Sequence, residues 1–167
     1  MPNGILVDTC TLISYVDEKQ PHHGVARAYI QHALTSGIQL HLSSLVAAEF
    51  NRRQTVEDLG LGNFVPAPFN LPDGLLAANF AEQLQRDRSD SRSGVLVDIM
   101  LIAQAHRLGL QGILTDDAST LAKYLARLNS LNATSVRAVL TTSGFDPVLL
   151  TDPTAPSLFV PRPERAG

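Results

Sequence analysis

Two short apolar segments of similar character constrain the fold of this chain more than any other feature of its sequence. Residues 4–7 read GILV and residues 112–115 read GILT, and an acidic residue follows each segment. Continuous apolar, β-branched runs of this length are typical of strands buried on both faces, as in a parallel sheet. Helical patterns separate the apolar runs, and this alternation predicts an α/β fold with its functional site at the carboxyl ends of the strands.

The rest of the pattern predicts further strands, helices and a tail. We predict strands at 4–7, 38–42, 112–115 and 147–150, with a short strand near 69–71 inside a loop at 58–74. We predict helices at 11–16, 25–34, 44–56, 75–85, 95–108 and 121–128. Residues 1–151 are expected to form one domain, and residues 152–167, which include four prolines, are expected to be a loosely held or surface-bound tail.

Composition narrows the possible functions and locations of the protein. The chain has 167 residues, 44% of them hydrophobic, which is enough for one domain with a core. Its net charge is −3, so the overall charge of the protein cannot attract a nucleic acid, and any such contact must be local. Its single cysteine excludes an internal disulfide and a cysteine-based zinc site. The sequence shows neither a signal-peptide pattern nor an apolar run long enough to span a bilayer, so a soluble cytoplasmic protein is expected.

Acidic residues recur where the pattern predicts burial or the end of a strand. Asp8 follows the first strand, and Asp116 and Asp117 follow the strand at 112–115. Glu49 lies on the apolar face of its helix, and Asp98 occupies the apolar stripe of another helix, in about its first turn. Because clustered buried carboxylates repel one another, they predict a hard divalent cation, Mg²⁺ or Mn²⁺, at a site that handles phosphates.

Each acid also has a structural explanation when taken alone. Asp8 is a good N-cap for the following helix, and Glu49 suits a solvated position at the edge of its face. Asp98 could be a satisfied acid near a helix N-terminus, where an anion is favoured. Either Asp116 or Asp117 could cap the next helix while the other faces the site, and their spacing does not decide between them.

Four motifs in this order resemble those of PIN-domain proteins, most closely the VapC-type toxins of toxin–antitoxin pairs. They are residues 5–13 (ILVDTCTLI), 43–50 (SSLVAAEF), 97–105 (VDIMLIAQA) and 112–117 (GILTDD). The resemblance implies a three-layer α/β/α fold with a central parallel sheet of four to five strands. It also implies a metal-dependent endoribonuclease, a homodimer and a cognate antitoxin.

The resemblance assigns roles to particular residues. It implies an acidic catalytic cluster of Asp8, Glu49, Asp98 and Asp117. The metal ligands would be Asp8, Asp98 and Asp117, with Asp116 in reserve, and Thr9 and Thr115 would support them. Cys10 departs from the family pattern, which often has Asn there, so a hydrogen bond is expected to be missing or replaced. The chain is also longer than typical toxins of this type, mostly after residue 125.

The predicted mechanism uses one or two Mg²⁺ or Mn²⁺ ions to activate the water that attacks the RNA phosphorus. No histidine is required, and all five are expected at the surface or at helix edges. The candidate RNA-binding residues, which could equally be solvated, are Arg52, Arg53, Arg86, Arg88 and Arg92.

Other functions are also considered. A phospho-aspartate phosphatase would need an acid two residues beyond Asp8, where Cys10 stands. The remaining alternative is a PIN-like nucleic-acid-binding or scaffold module without catalytic activity.

Overall fold

The fold is built on a parallel sheet of five strands. The computed structural model describes residues 4–152 and 154–155, and its strand order is β3-β2-β1-β4-β5, with every neighbouring pair parallel. The α/β fold with a central parallel sheet of four to five strands is therefore confirmed. The strands are β1 (Gly4–Val7), β2 (Gln39–Ser43), β3 (Phe64–Ala67), β4 (Gly112–Thr115) and β5 (Arg137–Leu140).

Helices cover both faces of this sheet. They are α1 (Thr9–Val16), α2 (His23–Thr35), α3 (Ser44–Asn51), α4 (Leu71–Gln83), α5 (Arg92–Arg107), α6 (Leu121–Ser130) and α7 (Val148–Thr151). Helix α1 packs on α2 and α3, whereas α5 packs on α4 and α6. From β1 the chain proceeds toward β2 on one side, and β4 later pairs with β1 on the other. Crossovers between parallel strands are almost always right-handed, so connections that run in opposite directions along the sheet place their helices on opposite faces.

The central strands lie in a continuous apolar core. Side chains from β1 and β4, including Ile5, Leu6 and Ile113, are fully buried, as the continuous apolar runs predict. Gly112 is needed for the close approach of β4 and β5, because a Cβ there would lie 2.9 Å from the carbonyl oxygen of Arg137. The acids that follow β1 and β4 are thereby held on a rigid base.

The predicted strand at 147–150 is wrong, and the true fifth strand was missed. Residues Val148–Thr151 form the short helix α7, which Pro147 suits because its backbone lies in the helical region. The strand is Arg137–Leu140 instead. Arg137 interrupts the apolar pattern, but its guanidinium donates hydrogen bonds to the carbonyl oxygens of Leu149 and Ala155, and these contacts satisfy it beside the core.

The short strand expected near 69–71 is also wrong, because the strand lies at Phe64–Ala67. It contains Pro66, and β3 tolerates this proline because it is at the edge of the sheet. Helix α4 begins at Leu71 rather than 75, since Asn70 and Asp73 form a capping box. The predicted helix at 44–56 ends at Asn51 and is followed by a separate 3₁₀ turn, Val56–Leu59.

Two further expectations need correction. Helix α5 begins at Arg92, capped by Ser91, so Asp98 lies in the second turn rather than the first. His41 is not at the surface or a helix edge: it belongs to β2, is 8% exposed, and burial lowers its pKa. Within the described residues, no helix is both long and apolar enough to cross a membrane. Most of the predicted tail lies outside the described residues.

Candidate active site

The candidate site lies where the chain changes direction across the sheet. Strands β1 and β4 are neighbours, and Asp8 and Asp117 come shortly after their carboxyl ends. Such a topological switch point is where parallel α/β sheets place their ligands. A cavity of about 560 Å³ opens here. Its lining residues are Asp8, Thr9, Cys10, Ile13, Glu49, Arg52, Arg53, Asp98 and Asp117, and we call this cavity the acidic pocket.

Asp8 is both a helix cap and a wall of the acidic pocket. Its Oδ1 accepts a hydrogen bond from the backbone nitrogen of Thr9, at 2.7 Å, and so caps α1. Its Oδ2 accepts from the Thr115 hydroxyl at 2.7 Å and from the Cys10 thiol at 3.1 Å. Burial raises the pKa of Asp8, although these hydrogen bonds oppose the change. Asp8 therefore serves as the N-cap of α1 and also lines the pocket, so these two explanations from the sequence are compatible.

Glu49 reaches the pocket from α3 as an exposed side chain. Its Oε2 accepts a hydrogen bond of 2.6 Å from the hydroxyl of Thr9. The same threonine contacts Asp8 through its backbone, while Thr115 contacts Asp8 through its side chain. The two threonines that the resemblance names as supports are therefore hydrogen-bonded to pocket acids.

Asp98 has the least satisfied carboxyl group of the pocket. Its Oδ2 is buried and has no hydrogen-bond partner among the described residues. Its pKa is raised to about 7, mainly by burial, and the charges of Asp8, Asp117 and Glu49 raise it further. A hydrogen bond with Thr120 opposes this only in part. A carboxyl group in this environment gains from a nearby positive charge.

Asp117 lines the pocket while ordering the turn before α6. Its Oδ1 accepts hydrogen bonds from the backbone nitrogens of Ser119 and Thr120, at 2.8 and 2.9 Å, and its Oδ2 accepts from the Thr120 hydroxyl. Burial alone would raise the pKa of Asp117, but these hydrogen bonds outweigh it and the pKa is lowered. Asp117 is therefore held as an anion, in contrast to Asp98.

Asp116 points to a different place from Asp117. Its Oδ1 accepts hydrogen bonds from the hydroxyls of Thr11 and Thr141, and its Oδ2 accepts from that of Ser14. It does not line the acidic pocket. The structure thus separates the two adjacent acids, which sequence spacing could not do, and the reserve ligand Asp116 is not brought to the other acids.

The five candidate arginines fall into separate groups. Arg52 and Arg53, at the end of α3, are exposed and line the acidic pocket. Arg86 and Arg88 line another cavity of about 430 Å³, and Arg86 donates to backbone carbonyls of its own loop. Arg92 is exposed at the start of α5 and lines neither cavity. Only the first pair therefore stands beside the acids.

The donor set of the acidic pocket suits a hard divalent cation, although the side chains are not closed around one. Among the described residues, no group of three or more His, Cys, Asp or Glu is arranged to hold a metal ion. Several carboxylate oxygens at present accept hydrogen bonds from Thr9, Thr115 and Thr120. A cation with oxygen ligands would nevertheless give the buried Oδ2 of Asp98 a partner. It would also offset the repulsion between Asp98 and the neighbouring carboxylates.

Three residues that contribute to this region are not among the predicted site residues. Cys10, at which the resemblance implies only a missing or replaced hydrogen bond, contacts Asp8 directly through its thiol. Thr120 binds Asp117, and its position three residues after that acid is a recognisable signal for a carboxylate-capped turn. Ile13 forms an apolar part of the pocket wall one turn into α1.

Comparison with solved structures identifies the fold. VapBC2 from Rickettsia felis, solved with a DNA fragment from its promoter, matches with a TM-score of 0.53 and 10% identity, covering 81% of this chain and 98% of that one. VapC20 from Mycobacterium tuberculosis, a sarcin-ricin loop cleaving toxin, matches with a TM-score of 0.50 and 18% identity, covering 74% of this chain and 94% of that one. FitAcB from Neisseria gonorrhoeae matches with a TM-score of 0.52 and 18% identity, covering 86% of this chain and 97% of that one.

These neighbours have the PIN-domain fold, so the chain has the fold that its four sequence motifs predict. No protein-family model and no curated protein matches the sequence. At identities of 10% and 18% the similarity is one of fold, and the chemistry of a fold depends on the residues of its site, here those of the acidic pocket.

Proposed function

We propose that this protein is an Mg²⁺- or Mn²⁺-dependent endoribonuclease that hydrolyses RNA phosphodiester bonds. The observation that supports this best is the convergence of Asp8, Glu49, Asp98 and Asp117 on one pocket at the switch point of a PIN fold. Asp98 strengthens the argument, because its buried oxygen lacks a partner and its pKa is raised to about 7. Structural acids are normally satisfied by the protein, as Asp116 is here.

The proposed ligands are Asp8, Asp98 and Asp117, with Glu49 acting directly or through water. When bound, the cation would lower the pKa of a coordinated water and offset negative charge on the scissile phosphate. The protein's part is orientation: Thr9 and Thr115 hold the carboxylate of Asp8. Thr120 does the same for Asp117.

The RNA backbone is proposed to contact Arg52 and Arg53 first. Both are exposed on the rim of the acidic pocket and follow Glu49 by about one helical turn. Two guanidinium groups there would attract phosphates to a pocket whose acids would otherwise repel them. The net charge of the whole chain, −3, makes such local cations more important.

The biological role that we propose is that of the toxin in a toxin–antitoxin pair, acting in the cytoplasm as a homodimer and held inactive by a cognate antitoxin. Two proteins of similar fold support this role. One is a toxin that cleaves the sarcin-ricin loop, and the other was solved as VapBC2 bound to promoter DNA. Growth arrest on induction of the wild type, but not of Asp98→Asn, would test the toxin role. A small DNA-binding protein encoded beside the gene would be the candidate antitoxin.

The nuclease activity can be tested with purified protein and structured RNA, with Mg²⁺, Mn²⁺ or EDTA. The wild type should cleave only with the divalent ion. Asp8→Asn and Asp98→Asn should each lose several kcal/mol of transition-state stabilisation, which is more than about 100-fold in rate. Glu82→Gln is the matched control, since it removes an exposed acid of α4 that lies outside the pocket.

Equal cleavage by the wild type and both pocket variants would contradict the proposed site. A wild type that neither binds Mn²⁺ nor cleaves RNA would favour the alternative of a PIN-like binding or scaffold module. Calorimetric titration with Mn²⁺ separates these outcomes, because it reports binding without depending on the choice of RNA.

A further inference from the structure

The hydrogen bonds of Asp8 distinguish its two carboxylate oxygens. Oδ2 accepts two side-chain hydrogen bonds, from Thr115 and from Cys10, whereas Oδ1 accepts one, from the backbone nitrogen of Thr9. A carboxylate oxygen has about two acceptor positions. Both acceptor positions of Oδ2 are therefore used by the protein, whereas Oδ1 keeps one acceptor position free for a ligand.

Cys10 connects this carboxylate to the neighbouring strand end. Its sulfur accepts a hydrogen bond from the backbone nitrogen of Asp116 at 3.3 Å, and it lies 3.5 Å from the hydroxyl of Thr115. The thiol itself donates to Asp8 at 3.1 Å. Cys10 thus joins the start of α1 to the end of β4 at the base of the acidic pocket.

The contacts of Cys10 suit a hydrogen-bond donor. Its side chain is partly buried, and its thiol donates to Oδ2 of Asp8 while the backbone nitrogen of Asp116 donates to its sulfur. These two hydrogen bonds hold the thiol against the carboxylate of Asp8.

We propose that Cys10 is a positioning residue, whose thiol acts with Thr115 to fix the plane of the Asp8 carboxylate and so keeps the free acceptor position of Oδ1 available to a cation. The proposal rests on the proposed metal-dependent function. It also gives a physical role to the position at which this chain departs from the PIN-domain pattern. Loss of the thiol leaves Oδ2 with one side-chain hydrogen bond, from Thr115, so the plane of the carboxylate is less tightly fixed.

The test compares Mn²⁺ affinity in Cys10→Ala, Cys10→Ser and Thr11→Val by calorimetric titration of the folded proteins. Removing an outer hydrogen bond to a metal ligand typically weakens binding about 10-fold or more, so we expect that loss in Cys10→Ala. Cys10→Ser retains a donor and should recover most of the affinity. RNA cleavage at limiting Mn²⁺ should fall in the same order, and saturating Mn²⁺ should restore most of the rate.

Thr11→Val is the matched structural control. Its hydroxyl binds the Leu114 carbonyl and the Asp116 carboxylate at the same joint between α1 and β4, but it does not touch Asp8. This variant should melt at a lower temperature than the wild type and keep the wild-type Mn²⁺ affinity.

Wild-type Mn²⁺ affinity in folded Cys10→Ala would overturn the positioning role. An equal loss of affinity in Thr11→Val would also overturn it, because general loosening of the joint would then explain the effect. Failure of the underlying function has a different signature, since the wild type itself would then neither bind Mn²⁺ nor cleave RNA.

Discussion

Replacing Asp98 with Asn should stabilise the metal-free protein at alkaline pH. The pKa of Asp98 rises from its ordinary 3.8 to about 7 in the folded protein, and each unit is worth about 1.4 kcal/mol. The full shift corresponds to about 4 kcal/mol against folding when the carboxyl is ionised. Because the side chain is only partly buried, solvent screening reduces the expected effect to about 2 kcal/mol.

The sign follows from the direction of the shift. A raised pKa means that the folded protein holds the proton more tightly than the unfolded chain does, so Asp98 favours folding at low pH. This contribution is lost as the pH rises from about 4 to about 7. The neutral amide of Asp98→Asn does not ionise, so the advantage of the variant should grow through this window and level off above it.

Urea denaturation in EDTA between pH 4.5 and 8.5 measures this difference. Asp117→Asn is the control of opposite sign: the pKa of Asp117 is lowered, so its charge favours folding above that pKa and its removal should destabilise at pH 8. Saturating Mg²⁺ should stabilise the wild type and reduce the advantage of Asp98→Asn. An Asp98→Asn variant that is no more stable than the wild type at pH 8, or whose advantage does not change with pH, would refute the reasoning.

Other parts of the structure give three further predictions. Asp73→Ala should cost about 3 kcal/mol in urea denaturation, because Asp73 is fully buried, pairs with Arg107 and completes the cap of α4; an unchanged midpoint would contradict this. Gly112→Ala should lower the melting temperature, since its Cβ would lie 2.9 Å from a backbone oxygen of β5, whereas Gly24→Ala, which meets nothing within 4 Å, should not. Cys10 should react with iodoacetamide at pH 7.5 much more slowly in the folded protein than in urea, because its thiol pKa is raised; equal rates would contradict that environment.

Strands β1, β2 and β4, together with the pocket acids Asp8 and Asp98, could be predicted because their signals are local. The runs before Asp8 and Asp117 mark buried strands, and the spacing of apolar residues around Asp98 marks a helix face. The fifth strand could not be predicted in this way. Arg137 interrupts its pattern, and the carbonyls that satisfy this residue come from 12 and 18 positions further along the chain.

The choice between Asp116 and Asp117 also depended on distant residues. Asp117 is ordered by the turn that immediately follows it, which is a local signal. Asp116 is held by hydroxyls of Thr11, Ser14 and Thr141, up to 105 positions away in sequence. Spacing around the two acids contains no information about those contacts; the resemblance to PIN domains favours Asp117, and the folded arrangement shows where each acid lies.

The hydroxyl of Thr141 has a practical consequence for shortened forms of this protein. A fragment ending at residue 140 would retain all four pocket acids and the five strands found among the described residues. It would nevertheless lack one of the three hydroxyls that hold Asp116, whose backbone nitrogen supports Cys10 beneath Asp8. Residues beyond the last strand therefore help to hold the joint between α1 and β4, and a fragment ending at residue 140 should melt at a lower temperature than one that extends past Thr141.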